Sequence, residues 1–124
     1  MKGNFKEGFV VINNTIPKLM SVYINVGGIT LYPFIILKDT YHNDTTIRHE
    51  KIHIAQQKEL FVIGFYILYV WYWLINRFKY SDAPNVAYYN LPFEQEAYNN
   101  QDDLEYLKNR PAHEWKKYFI TRDY

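Results

Sequence analysis

The chain has 124 residues and a mass of 15.0 kDa, which reads as one domain over residues 1–124 built around a single hydrophobic core. Apolar residues make up 48 % and charged residues 22 %, which excludes a disordered chain, and a net charge of +1 with scattered Lys and Arg offers no basic track for nucleic acid. With no cysteine, a disulfide framework, a thiol nucleophile and a thiolate metal site are all excluded, so any metal has to be held by nitrogen and oxygen.

Residues 1–9 carry Lys2, Lys6 and Glu7 before any apolar run, which is not the pattern of a secretory signal, and the expectation is a cytoplasmic location. A short strand is expected at residues 9–12. Residues 17–38 are rich in Val, Ile, Tyr and Phe and are broken by Gly27 and Gly28. They predict two strands, 20–26 and 29–37, turning at the glycines, with Pro33 favouring an edge or a bulge. Residues 41–46 are polar, and Asp44, Thr45 and Thr46 are each able to cap a helix that starts just before Ile47.

That helix carries His49-Glu50-Lys51-Ile52-His53, the pattern H-E-x-x-H. Histidines four residues apart project from one helix face, so both imidazoles can reach one ion. Glu50 lies about 100° round the helix from His49, out of reach of the ion but able to hydrogen-bond a water beside it. A carboxylate so placed takes a proton from a zinc-activated water attacking a carbonyl. The bland alternative is two surface histidines and a glutamate making ordinary contacts along a solvated helix.

From Leu60 to Asn76 no residue is charged. A stretch of this length is at the short limit for crossing a bilayer, and Gly64, Tyr66, Tyr69, Trp71, Tyr72 and Trp73 favour a buried helix or one lying at an interface. A peripheral membrane contact through residues 60–76 is therefore open. Residues 81–92 read as a connection. Pro92 suits the first turn of a helix running through FEQEAYNNQDDLEYLKNR, and Pro111 begins a last helix to residue 120.

A third ligand is needed to close a zinc site. Glu59 stands ten residues after His49, but no glycine bends the chain between them, so a continuing helix carries it up the axis to another face. Glu94 and Glu96 at the start of the later helix are better placed. They lie about 200° apart, so only one can face the ion. Glu94 is preferred, because Ala97 on its face allows close approach to the zinc helix; the bland reading of either glutamate is a helix-dipole charge in the first turn. Gln56 lies near the His49 stripe and can bond a ligand. Tyr98, Tyr88, Tyr89, Arg110 and His113 are candidates to stabilise an oxyanion, although His42 and His113 also read as ordinary surface histidines. The strand at 32–38 can pair with an extended peptide.

H-E-x-x-H followed by E-x-x-A resembles the gluzincins, particularly the small-domain group related to the HtpX peptidases. HEKIHIAQQKEL, an aromatic helix and LPFEQEAY are similar, over roughly residues 32–118, to a family of short peptidases from bacteria and bacteriophages assigned by motif. The resemblance implies a zincin-like fold and Glu94, before x-x-A, as third zinc ligand beside His49 and His53. Those relatives commonly carry aspartate after the alanine, where Tyr98 stands here. The expectation is thus an α+β, zincin-like fold, a small N-terminal antiparallel sheet packed on a helical core. Its function would be a Zn2+-dependent metallopeptidase acting on a peptide or protein substrate, with Glu50 as base and Tyr98 as a catalytic hydroxyl. The rivals are a non-catalytic zinc-stabilised binding module and a membrane-associated interaction protein.

Overall fold

A computed structural model describes residues 2–4, 8–13, 28–38 and 43–118. The class is mixed α+β, as expected. The strands are β1 (Lys2–Asn4), β2 (Gly8–Ile12), β3 (Gly28–Leu31) and β4 (Phe34–Leu37). The helices are α1 (Asp44–Glu59), α2 (Ile63–Lys79), α3 (Pro84–Tyr89), α4 (Pro92–Asn100) and α5 (Tyr106–Asn109), followed by a 3-10 turn at Glu114–Tyr118.

The sheet runs in the order β1-β2-β4-β3. It is mixed rather than antiparallel: β1 and β3 run antiparallel to their neighbours, but β2 pairs parallel to β4, Val10 opposite Ile35. The expected strand at 29–37 is two strands. The chain reverses at Tyr32 and Pro33, joined by a cis peptide bond, where proline has no N–H to give a ladder. The expected strand at 20–26 lies outside the described residues. Because β4 is paired on both sides, the segment 32–38 has no free edge for an added strand; the edge facing α1 belongs to β3.

One apolar layer joins sheet to helix. Ile35 and Leu37 of β4 and Ile54 of α1 are fully buried, with Val10, Tyr32 and Ile47 around them. Gly8 permits this closeness: its backbone has φ +97, and a Cβ there would come within 3.0 Å of Ile54 Cγ1. A second layer, Phe65, Phe93 and Trp115 with Leu60, Leu68 and Tyr72 packed against it, ties α2, α4 and the 3-10 turn together. Each such buried side chain contributes about 1.5–3 kcal/mol.

The cap of α1 is Asn43, whose side chain accepts from the Thr46 N–H, and not Asp44, Thr45 or Thr46. An asparagine outside the helix can turn its carbonyl back on the first free N–H groups, whereas these three lie within the helix. Gly64 does not interrupt α2; the break falls at Phe61 and Val62, both non-glycine residues at positive φ, 55° and 64°. Such a conformation costs on the order of 1–3 kcal/mol per residue, most for β-branched valine. It turns α2 by 112° from α1, laying one helix across the other. No single described helix is long and apolar enough to cross a membrane.

Residues 81–92 contain a short helix, α3, entered at Pro84, in place of a plain connection. The helix at Pro92 ends at Asn100, where the Asn99 and Asn100 amides bond to carbonyls four residues back, and only Tyr106–Asn109 resumes it. The last expected helix is a 3-10 turn, preceded by His113 at φ 57; residues 119–124 lie outside the described residues.

Candidate metal centre

His49, Glu50 and His53 sit on the buried face of α1, which α4 crosses with Phe93, Glu94 and Ala97 turned inward. His49 Nε2 lies 3.0 Å and His53 Nε2 3.1 Å from Glu94 Oε1, and the two ring nitrogens are 3.2 Å apart. All three side chains are buried and form the metal-competent cluster found among the described residues. A tetrahedral zinc with bonds near 2.0–2.1 Å requires ligand atoms separated by about 3.3 Å. The triangle matches one face of such a tetrahedron to within a few tenths of an ångström, so the residues fit the ion.

The hydrogen bonds behind the rings point the same way. Gln56 donates its amide N–H groups to Phe93 O at 3.0 Å and Glu96 Oε1 at 2.9 Å, which leaves its Oε1 to accept from His53 Nδ1 at 2.8 Å. His53 therefore carries its proton on Nδ1 and turns the Nε2 lone pair to Glu94. His49 Nδ1 meets Gln101 Oε1 at 2.8 Å, and Arg48 holds the Gln101 carbonyl. Three acceptors aimed at one point suit a small cation, a proton or a metal ion, between them.

Electrostatics reflects that convergence. Burial alone would lower the pKa of His53, but the charge of Glu94 and its hydrogen bond, with help from Glu50 and Gln56, raise it to about 9. Burial would raise that of Glu94, but His53 and the bonds from both histidines hold its carboxyl well below the usual range. Tyr69 donates to Glu94 Oε2 at 2.8 Å and Tyr88 to Oε1 at 3.1 Å. Burial and the nearby Glu94 push both phenols well above their ordinary pKa, so both remain donors.

Glu50 faces a cavity of about 440 Å³ lined by β3 and α2, shared with His53, Glu94 and Tyr88. Its Oε2 accepts from Thr30 Oγ1 of β3. The opposite wall is Phe65, Tyr66, Tyr69, Val70 and Trp73.

The remaining expected site residues fall elsewhere. Tyr98 packs its ring on His49, centroids 4.3 Å apart, and its hydroxyl meets Tyr88 at 3.2 Å, so Tyr88 rather than Tyr98 borders the cavity. Tyr89 meets Tyr88 edge to face and Tyr98 at a tilt, and is exposed. Arg110 forms a bidentate pair with Glu59, at 2.9 and 3.0 Å, and also binds Glu96, away from the cavity. Glu96 is thus no surface dipole charge but a fully buried anion bonded by Arg110, Tyr106 and Gln56. His113 gives its backbone N–H to Glu59, and His42 lies outside the described residues. Thr30, Tyr69 and Gln101 carry no motif signal and were not foreseeable from spacing. No family model, no curated protein and no solved structure matches this chain.

Proposed function

We propose that this chain is a zinc-dependent metallopeptidase of gluzincin type. The observation that carries the reading is the convergence of His49 Nε2, His53 Nε2 and Glu94 Oε1 within 3.2 Å, with Glu50 lining one cavity with His53 and Glu94. When bound, zinc supplies Lewis acidity that makes a water nucleophilic near neutral pH. His49, His53 and Glu94 hold the ion, and Tyr69 and Tyr88 orient the Glu94 carboxylate.

Glu50 moves the proton. It takes one proton from water as the new C–O bond forms at the substrate carbonyl, then gives it to the departing nitrogen as the C–N bond breaks. Thr30 fixes the rotamer from which it does so. Tyr88, on the cavity wall, gives its one hydroxyl proton to Glu94 Oε1, and Tyr98 holds that hydroxyl from behind. The apolar wall of α2 suits a peptide bearing a large apolar side chain.

Metal analysis beside hydrolysis of a quenched fluorescent peptide library tests the reading. Purified protein is expected to retain zinc, Glu94→Ala to lose it, and Glu96→Gln to keep it. Glu50→Gln is expected to keep zinc and lose hydrolysis. Wild-type protein that binds no zinc would defeat the metal site. Zinc-loaded wild type that cleaves nothing, or Glu50→Gln that cleaves equally well, would favour a non-catalytic zinc-stabilised module.

A further inference from the structure

The face that α2 turns away from the core is apolar along its whole length. Ile63, Ile67, Val70, Trp71, Leu74 and Phe78 recur at three- and four-residue spacing, which gathers them within an arc of about 100°. Trp71 is 60 % and Ile67 64 % exposed, and two phenylalanines bracket the stripe, Phe61 at 88 % and Phe78 at 84 %. Phe61 is displayed by the turn in which it and Val62 adopt positive φ, so backbone strain is spent on holding a phenyl ring in water.

Charge discriminates among occupants. Lys58 stands three residues before Phe61, and Arg77 and Lys79 flank Phe78; of the nearest carboxylates, Glu59 is neutralised by Arg110 and Asp82 is one charge against the two of Arg77 and Lys79. The stripe is therefore cationic at both ends. A second copy of the chain would set cation against cation in either a parallel or an antiparallel pairing of α2. A peptide partner needs a groove with two walls, whereas the open concavity on this surface is lined by α2 alone. An anionic lipid surface answers both features: it accepts an apolar face and supplies counter-charge at each end. At 17 residues, about 25 Å long, α2 lies along such a surface rather than across it.

We propose that α2 docks the protein on an anionic bilayer through Phe61, Ile63, Ile67, Trp71, Leu74 and Phe78. Val70 belongs both to this stripe and to the wall of the cavity beside Glu50, so a bilayer held against α2 borders the candidate site. The docking is independent of any hydrolysis.

Co-sedimentation of the full chain with vesicles tests it, using phosphatidylcholine alone and phosphatidylcholine mixed with phosphatidylglycerol. Wild type is expected to sediment with the mixed vesicles, with a blue shift of tryptophan emission. Ile67→Glu and Phe61→Ser, each checked for unchanged circular dichroism, are expected to weaken partitioning by about tenfold or more. Lys58→Glu with Lys79→Glu is expected to lose the preference for the anionic vesicles. Wild type that stays in the supernatant of both vesicle types overturns the proposal. So does Ile67→Glu partitioning as wild type does, or self-association of wild type that Ile67→Glu abolishes without any vesicle binding.

Discussion

Gln56 donates a 2.9 Å hydrogen bond to Glu96 Oε1, and that bond decides which nitrogen of His53 faces Glu94. An anionic acceptor on one side forbids the Gln56 amide to flip, so its carbonyl oxygen stays on His53 Nδ1 at 2.8 Å. Gln56→Ala is expected to lower zinc affinity about ten- to a hundredfold with all three ligands intact. Competition against a chelating dye measures it, and unchanged affinity would show that the tautomer is not set from behind.

Arg110 is the cation shared by two carboxylates, the fully buried Glu96 and the half-buried Glu59. It raises its own pKa further through them and stays charged. Arg110→Met leaves both anions without their partner, and such a loss costs about 3–5 kcal/mol. Urea unfolding is expected to show a fall of that order, larger than for Lys108→Met, whose pair with Glu105 is exposed at 3.9 Å.

Without metal, the pair of His53 and Glu94 makes stability depend on pH. His53 is raised from 6.5 to about 9 in the folded state, so its contribution is full below 6.5 and is lost as pH rises through about 9. Glu94 is depressed, so its contribution is present above 4.5 and is lost as pH falls below that. The chelated protein is expected to melt highest between pH 4.5 and 6.5 and to lose on the order of 3 kcal/mol toward pH 10. Zinc, which takes the place of the proton, is expected to remove the alkaline loss. A flat melting temperature from pH 6 to pH 10 in chelator would contradict the buried pair.

How much of this was visible in the sequence depends on distance along the chain. His49, Glu50 and His53 lie within one helical turn and a half, where the period alone places them. Glu94 followed from helix phase against Glu96 and from the small Ala97. By contrast, Thr30, Tyr69 and Gln101 reach the site from 20, 25 and 52 residues away, and their placement depends on turns that the sequence marks poorly. The bend at Phe61 and Val62 has no glycine to mark it in the sequence. The parallel pairing of β2 with β4 joins residues far apart in sequence, Phe9 with Phe34 and Ile12 with Leu37, which no local pattern encodes.

Gly28 brings sheet, helix and cavity together most tightly. A Cβ added there would lie 3.4 Å from Glu50 Oε1 and would clash with Leu37 Cδ2 in the closed core behind it. Leu37 is fully buried in β4 and cannot move aside without opening the layer it shares with Ile35 and Ile54. Gly28→Ala is therefore expected to cost about 1–3 kcal/mol, as overpacking does. The same methyl only touches the Glu50 carboxylate at van der Waals distance, so turnover is expected to fall no further than the loss of folded protein explains, while zinc content is unchanged. Thr30→Val acts on Glu50 instead. It keeps the strand and the shape but removes the hydroxyl that holds Glu50, and a bond to a charged group is worth about 1.5–3 kcal/mol. Its kcat is expected to fall roughly tenfold or more with KM little changed. If Thr30→Val turns over as wild type does, Glu50 is held by the walls of the cavity rather than by β3.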